Sequence, residues 1–546
     1  MFFPIFLLWL LSIPFSLIMG QPPSPPPNLQ GYFINCGSKT NLEQDGLTYL
    51  KDEGYAHSGN ITTLEQTDIL PILTTLRYFP YGPGKHCYEF PVITGSKFLI
   101  RTTYFYGGFD GSNEPPIFDQ IIDGTTWGTV NTSEDYKNGL SSYYEIIVTA
   151  QSNTLSICLA CNEHTKSKSS PFISSLEVMN VDPSLYNSTD FSKYGLITIA
   201  RTNFASKGDI VRYKTDFSNL CFFTFCLNRG LIISSFPDDP FNRYWQPFID
   251  INPTVQAHVN VTSSEFWNRP PTKVFLSGST TSRGKNLTIE WPPFSLPGSR
   301  YYVALYFQDN RSTSPYSWRV FTVFIGDDTF YQDLNVSTKG ATVYGTEWPL
   351  SGDIKITLTP RIDMPVGPTI NAGEIYQILP LAATTLSKDA MILQRLKKSL
   401  KNPPDDWNGD PCLPKGHPWT GISCFEGDQV RVISLNLTGL SLAGTLPQDI
   451  AGLTALKELR LSMNKLSGPV PDLSPLKSLE ILHLNDNEFG GQFPIYIGTL
   501  PNIHEIFVNN NNFSGGPPQS LPNVRQGVIV RFFGKLAKEI QFGRWR

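Results

Sequence analysis

The stretch LNLTGLSLAGTLP (435–447) returns three more times with the same spacing of apolar residues, glycine and proline. The later copies are LRLSMNKLSGPVP (459–471), LHLNDNEFGGQFP (482–494) and IFVNNNNFSGGPP (506–518). The central glycines of the four copies, from Gly444 to Gly515, are 24, 23 and 24 residues apart. A fixed period of this length is typical of a solenoid whose repeated leucines stack into one continuous core. The sequence therefore predicts four repeats over residues 430–523.

Two sets of polar residues recur within the copies. Asn464, Asn487 and Asn511 occupy the turn, where an amide can satisfy backbone groups, whereas the first copy has Leu440 there. Residues that flank the strand leucines should line the concave face: Arg460, Ser462, His483, Asn485, Phe507 and Asn509, with Asn436 in the same row. We expect this face to bind a protein partner, with the contacts centred on His483 and Phe507.

The segment 385–428 precedes the repeats and contains Cys412 and Cys424. These cysteines could form half of a metal site, a redox pair or a disulfide. A short solenoid exposes its first apolar layer, so we expect this segment to be a cap. A helix at 388–400, with Met391, Leu393, Leu396 and Leu400 on one face, would cover that layer together with Trp407 and Trp419. A zinc site with His417 lacks a second close ligand pair, so we favour the disulfide.

Residues 30–382 contain the same sequence pattern twice. KFLIRTTYFYGGF (97–109) corresponds to RYYVALYFQDN (300–310), and IFDQIIDGTTW (117–127) corresponds to VFTVFIGDDTF (320–330). Glu177 and Glu374 are 197 residues apart, and Phe118 and Phe321 are 203 apart. A nearly constant offset indicates a duplicated β domain, each copy about the size of one sandwich.

These stretches resemble the plant malectin-like family, and the later ones resemble plant receptors with leucine-rich repeats. The first resemblance is carried by FINCGS (33–38), LRYFPYGPGKHCYEFPV (76–92), LIRTTYFYGGFDG (99–111), FDQIIDGTTW (118–127), PFISSLEV (171–178), DDPFNRYW (238–245) and NAGEIY (371–376). The second resemblance is carried by the four repeats and by the motifs WNGDPC (407–412) and WTGISC (419–424). The resemblance implies a mainly β chain: malectin-like β-sandwiches at 30–182 and 190–382, followed by a short, capped α/β solenoid.

The family also suggests a ligand. Animal malectin binds a short glucose disaccharide, and plant relatives are receptor ectodomains that sense cell-wall fragments or secreted peptides. A sugar site needs flat aromatic faces and polar groups for hydroxyls, and the first unit supplies both: Tyr78, Tyr104, Tyr106, Phe109, Asp110 and Trp127. Tyr104 and Tyr106 have strand spacing, however, which is equally consistent with a core position.

The N-terminus and the sequons indicate secretion. Residues 2–19 are almost wholly apolar and end at Gly20, which predicts a signal peptide over 1–20. Nine N-x-S/T sequons follow, at Asn60, Asn131, Asn187, Asn260, Asn286, Asn310, Asn335, Asn436 and Asn512. In an oxidising compartment the eight cysteines should mostly form disulfides. The pairing of Cys36, Cys87, Cys158, Cys161, Cys221 and Cys226 stays open, and we expect CLAC (158–161) to be structural.

Composition and motifs narrow the function. A net charge of −4 on 546 residues argues against nucleic-acid binding. We find no hydrolase, metalloprotease, P-loop or protein-kinase signature, and we predict no cofactor and no metal. We expect an extracellular receptor-like protein without its own kinase, which binds wall glycan or secreted peptide and works with a receptor kinase or co-receptor. A structural wall scaffold is the alternative, and a secreted carbohydrate-active enzyme, with a carboxylate pair such as Asp110 and Asp123, is the third.

The segment 524–546 follows the repeats and carries six basic residues against one glutamate. Its longest apolar run is three residues, far short of a membrane span, although family relatives are single-pass plasma-membrane proteins. GVIVRFF (527–533) is predicted to form a last strand over the end of the solenoid, with the remainder a basic tail. We expect release to the apoplast or cell wall.

Overall fold

A computed structural model describes residues 30–66, 68–167, 169–205, 238–257, 263, 266–309, 311, 318–514 and 528–531. The predicted signal peptide, Asn260, Asn310, Cys221, Cys226 and most of the tail at 524–546 lie outside these residues. Strands dominate the described residues, as the sequence predicts.

The first unit is built from short strands and two helical turns. Its elements are β1 (Gly31–Asn35), β2 (Leu42–Gln44), β3 (Leu47–Lys51), β4 (Asn60–Thr63), a 3-10 turn (Pro71–Leu73), β5 (Thr75–Tyr78), β6 (Lys85–Pro91), β7 (Lys97–Tyr104), β8 (Ile117–Ile122), β9 (Thr125–Asn131), α1 (Ser133–Lys137), β10 (Ser142–Thr149), β11 (Thr154–Cys161), β12 (Phe172–Ile173) and β13 (Ser175–Asn180).

The second unit has a similar arrangement of strands, several of which are longer. Its elements are β14 (Tyr194–Phe204), β15 (Gln246–Phe248), β16 (Thr254–Gln256), a 3-10 turn (Thr272–Phe275), β17 (Ser277–Thr280), β18 (Leu287–Glu290), β19 (Leu296–Phe307), β20 (Trp318–Ile325), β21 (Asp328–Ser337), β22 (Ala341–Gly352), β23 (Lys355–Pro360), β24 (Thr369–Ile370) and β25 (Ala372–Pro380).

The solenoid and its cap complete the described chain. They contain α2 (Ser387–Ser399), β26 (Ile422–Glu426), β27 (Val430–Asn436), β28 (Ala443–Thr445), a 3-10 turn (Gln448–Gly452), β29 (Glu458–Arg460), β30 (Lys465–Pro469), β31 (Ile481–His483), β32 (Glu488–Gly490), a 3-10 turn (Ile495–Thr499), β33 (Glu505–Phe507) and β34 (Ile529–Arg531). The strand predicted within 527–533 is therefore confirmed as β34, which pairs in parallel with β33.

The sheet order confirms the duplication. The strands β1-β13-β7-β10 of the first unit follow the same order as β14-β25-β19-β22 of the second. The facing sheets, β6-β11-β8-β9 and β18-β23-β20-β21, correspond in the same way. Glu177 and Glu374 are equivalent in contact as well as in sequence, since each accepts hydrogen bonds from a buried tyrosine and a buried arginine.

The two units share one sheet, which the prediction of separate sandwiches at 30–182 and 190–382 did not include. Those residues form turns, but β10 pairs with β14 through Ile146–Ile197 and Ile147–Leu196, which gives an eleven-stranded sheet. The physical reason is that β10 would otherwise be an edge strand with unpaired backbone groups.

Buried ion pairs reinforce this junction. Arg201 of the second unit contacts Glu145 of the first at 2.8 Å and Glu374 at 3.0 Å. Arg101 contacts both Glu145 and Glu177. Burial alone would raise the pKa of Glu145, but Arg201 and Arg101 outweigh it and hold that pKa below its ordinary value. The carboxylate therefore stays ionised inside the protein.

The solenoid is capped largely as predicted. Ile392, Leu393 and Leu396 of α2 pack on its first layer, whereas Met391, expected on that face, is 56% exposed. The other three predicted residues are buried, and Ile392 lies on their face in place of Met391 because it is four residues before Leu396. Trp407 and Trp419 are fully buried and stacked, with ring centroids 5.2 Å apart, and Cys412 and Cys424 form a disulfide.

Among the described residues, no helix combines the length and apolar character that crossing a membrane requires.

Candidate functional site

A cavity of about 260 Å³ opens at one end of the first sandwich. Its wall consists of residues 113–117 before β8, of Ser133, Tyr136 and Lys137 on α1, and of a loop that carries His164 and Lys166. Glu114 and Lys166 form an exposed ion pair at the rim. The cavity thus combines one aromatic ring with cationic, carboxylate and hydroxyl groups, which is the chemistry that fixes the orientation of a small polar ligand.

None of the six residues predicted to bind a sugar is among those that line this cavity. Tyr104, Tyr106 and Trp127 are at most 4% exposed, so the structure corrects their assignment as ring platforms. The cause is packing: β7 is buried along nearly its whole length, and the Tyr104 hydroxyl donates a hydrogen bond to Gln120 at 2.8 Å. Tyr106 donates to Asp110, and burial together with this contact raises the pKa of Tyr106.

Tyr78, Phe109 and Asp110 keep some access to solvent. The rings of Tyr78 and Phe109 are half-buried with centroids 5.2 Å apart, and Asp110 is exposed. Tyr136 of the cavity wall packs edge-on against Tyr106 at 4.9 Å. Of the predicted residues, Tyr106 therefore supports the wall. The residues that face the cavity were missed because they lie on a five-residue helix and on loops, which are too short to show a periodic pattern.

The concave face of the solenoid shows one continuous row of side chains. Strand register places Asn436, Arg460, His483, Phe507 and Arg531 side by side on successive parallel strands. The rings of His483 and Phe507 are parallel within 5° at 4.3 Å, and the guanidinium of Arg531 lies 4.5 Å from the Phe507 ring. This row extends the predicted partner face by one residue, Arg531.

Polar neighbours flank that row on both sides. Glu505 lies 3.3 Å from His483, and Glu458 lies 3.2 Å from Arg460. On the other side Ser462 donates a hydrogen bond to Asn485 at 2.6 Å. Burial lowers the pKa of His483, and the nearby Arg460 adds to this, while Glu505 opposes it.

Four more cysteines lie within the described residues of the first sandwich, and two of them are paired. Cys87 and Cys158 form a disulfide between β6 and β11, while Cys36 and Cys161 are buried and not in disulfides. CLAC (158–161) therefore contains no internal bridge. No group of three or more His, Cys, Asp or Glu in the described part of the chain could hold a metal ion.

The carboxylates considered as a glycosidase pair have different neighbours. Asp110 accepts hydrogen bonds from Tyr106 and from the backbone of Ser112, whereas Asp123 accepts hydrogen bonds from Ser156.

The described chain thus consists of two duplicated sandwiches followed by a capped leucine-rich-repeat solenoid. The family model of the malectin-like domain matches residues 34–235 and 223–378, and that of the leucine-rich-repeat N-terminal domain matches 386–425. These matches cover more than half of the chain, and the protein belongs to the malectin-like family. The resemblance to the plant malectin-like family that the sequence shows is confirmed.

Curated relatives are receptor-like kinases of Arabidopsis thaliana. The probable LRR receptor-like serine/threonine-protein kinase At1g67720 is 28% identical over 495 residues, which are 86% of this chain and 49% of the relative. At1g51810, with the same description, is 30% identical over 479 residues, 84% of this chain and 49% of the relative. The chain thus spans about half the length of the curated relatives it matches.

Solved structures agree on the fold. The ANX1 ectodomain and the ANXUR2 extracellular domain, both from Arabidopsis thaliana, each superpose with a TM-score of 0.50 at 16% identity. Each comparison covers 64% of this chain and 97% of the other. At this identity the likeness shows the sandwich fold alone.

Proposed function

We propose that this protein is an extracellular, ligand-binding receptor-like protein that captures a cell-wall carbohydrate or a secreted peptide in the cavity at the end of the first sandwich. The observation that carries this proposal is the wall of that cavity, where Tyr136 lies beside Lys137 and His164. The ring can cover the apolar face of a sugar or a peptide side chain, while the ammonium of Lys137 and the ring nitrogens of His164 can bind carboxylate or hydroxyl oxygens.

The concave row of the solenoid is the surface that we assign to a protein partner, such as a receptor kinase or co-receptor. Its parallel stack of His483 and Phe507 is rigid, which reduces the side-chain entropy that binding would cost. Arg460 and Glu505 beside the stack supply polar contacts of both signs.

An extracellular location, in the apoplast or cell wall, is supported by two features. The seven sequon asparagines within the described residues, Asn60, Asn131, Asn187, Asn286, Asn335, Asn436 and Asn512, are all exposed. The two disulfides, Cys87–Cys158 and Cys412–Cys424, suit an oxidising compartment.

The test is a glycan array run beside a secreted-peptide screen, with the glycosylated protein purified from a plant secretory host. We expect saturable binding that Lys137→Ala and His164→Ala each weaken about tenfold, or about 1.4 kcal/mol. Lys193→Ala is the matched control, because Lys137 and Lys193 are similarly exposed and each pairs with an acid three residues earlier.

Three results would argue against the proposal. Binding that is unaffected by both cavity variants would move the site elsewhere. The absence of binding to both libraries would favour the structural scaffold. Release of shortened oligosaccharides would favour an enzyme.

A further inference from the structure

The cap of the solenoid is seated on the first sandwich, and we call this contact the joint. Gly409 donates its N–H to Glu89 at 2.8 Å, and the His417 ring lies 2.8 Å from the carbonyl oxygen of Pro83. A Cβ on Gly409 would lie 3.0 Å from the sulfur of Cys87 and 3.1 Å from that of Cys158, and its φ is +65°. Only glycine permits this approach of the cap to the disulfide.

The turn between β8 and β9 also packs against the solenoid cap. Asp123 and Gly124 both have positive φ, 43° and 85°, as the Asp-Gly pair of a tight hairpin requires. A Cβ on Gly124 would lie 2.8 Å from the Cβ of Leu413 and 3.3 Å from that of Asp410. The hairpin tip therefore lies against Asp410, and the charge of Asp410 acts on the neighbouring Asp123.

The two carboxyls are not equivalent. Asp410 accepts hydrogen bonds from the backbone of Thr385, Cys412 and Leu413, each at 2.9–3.0 Å. Asp123 accepts only from Ser156, at 2.8 Å from the backbone nitrogen and 3.1 Å from the hydroxyl. Protein atoms crowd Asp123 on nearly all sides although part of its surface remains accessible. Desolvation by burial and the charge of Asp410 raise the pKa of Asp123 to about 6.

We propose that the joint is proton-sensitive: uptake of one proton by Asp123, opposite Asp410, tightens the attachment of the solenoid cap to the first sandwich. The closed joint raises the affinity of Asp123 for a proton, so closure takes up that proton between about pH 4 and 6. The stabilisation is present at acidic pH and is lost as pH rises through about 6. A shift of about two pKa units corresponds to about a hundredfold over the whole pH range, and about tenfold of this change falls between pH 5 and pH 7.

Other charged groups face the joint, and three of them have shifted pKa values. Burial lowers the pKa of Lys85 to about 8, so Lys85 titrates outside the window of Asp123. Burial also lowers the pKa of His86, which makes His86 oppose Asp123 on acidification. Burial lowers the pKa of Lys397 as well, and Lys397 remains a cation beside Glu89. The contact further includes Asp405, Asp406 and His417. The contribution of Asp123 must therefore be isolated by substitution.

Hydrogen exchange of the full chain measures the joint directly. Protection factors, corrected for intrinsic rates, are compared at pH 5 and pH 7 for peptides covering 121–127 and 406–413. We expect about tenfold higher protection at pH 5 in the unmodified protein. Asp123→Asn, which keeps the turn conformation and the acceptor for Ser156, should show high protection at both pH values.

Asp119→Asn is the matched control, because Asp119 is a half-buried acid on the same hairpin that bonds Thr129 and Asn162 instead of approaching the cap. It should retain the pH dependence of the unmodified protein. Asp410→Asn provides a second route, since removal of the facing charge should move the midpoint of the pH dependence to lower pH. Equal protection at both pH values in the unmodified protein, or unchanged pH dependence in Asp123→Asn, would overturn the proposal.

Discussion

Arg201 and Glu145 join the two sandwiches through a fully buried ion pair, with Nη1 2.8 Å from Oε2 and both side chains at most 1% exposed. The same guanidinium also donates hydrogen bonds to the carboxylate of Glu374 and to the hydroxyl of Tyr376. Removing one partner of a buried pair leaves an uncompensated charge, which costs more than the pair itself contributes.

We therefore expect Arg201→Met to lower the free energy of unfolding by about 3–5 kcal/mol. Chemical denaturation followed by tryptophan fluorescence checks this. Lys193→Met serves as the control, because the Lys193–Asp190 pair is exposed and should change stability by less than about 0.5 kcal/mol. Similar midpoints for the two variants would contradict a central role for the buried pair.

The two disulfides should differ in their contribution to stability. The loop closed by Cys412–Cys424 spans a sequence separation of 12, and that closed by Cys87–Cys158 spans 71. Chain entropy then predicts about 3 kcal/mol for the first and about 4 kcal/mol for the second. Thermal melts of Cys412→Ser/Cys424→Ser and Cys87→Ser/Cys158→Ser measure both. A larger loss from the cap bridge than from the sandwich bridge would show that loop entropy is not the dominant cause.

Binding of a protein partner should depend on the stacked rings of the concave row. His483→Ala and Phe507→Ala should each weaken binding at least tenfold, because either removes half of the stack. His504→Ala is the control, since His504 belongs to the same repeat but is exposed and precedes β33. Surface plasmon resonance against any partner found checks this. A footprint centred on Asn436, which we expect to carry a glycan, would refute the assignment.

His483 should titrate below its ordinary range. Burial lowers its pKa, so the neutral ring is the stable form, and the stability it contributes is lost as pH falls below about 6.5. NMR titration of the ring should give a midpoint under 6.5. Phe507→Ala should raise that midpoint by uncovering the ring, and Glu505→Gln should lower it further by removing the carboxylate. A midpoint above 6.5 would mean that Glu505 outweighs burial.

The repeats could be predicted from sequence because their spacing is dictated by stacking. Asn464, Asn487 and Asn511 each donate a hydrogen bond to a carbonyl of the preceding repeat, at 2.8–2.9 Å, as their turn position indicated. The concave row followed from strand register for the same reason. Period and register are properties of a solenoid that a single sequence displays.

The sandwich sites could not be predicted in the same way. Tyr104 and Trp127 have the composition of a sugar platform, but strand positions alone do not reveal which face of a β-sheet is covered. Tyr136 and Lys137 face the cavity only because α1 folds back beside the loop at 113–117. The joint could not be predicted from the sequence either, because it depends on contacts between residues nearly 300 positions apart, such as Gly124 and Leu413.

The pairing of β10 with β14 has a consequence for the independence of the two sandwiches. Each sandwich covers backbone groups and a charge that belong to the other. Either sandwich produced alone would expose an unpaired strand edge and leave a buried charge without its partner. We therefore expect the two sandwiches to fold and unfold as one unit.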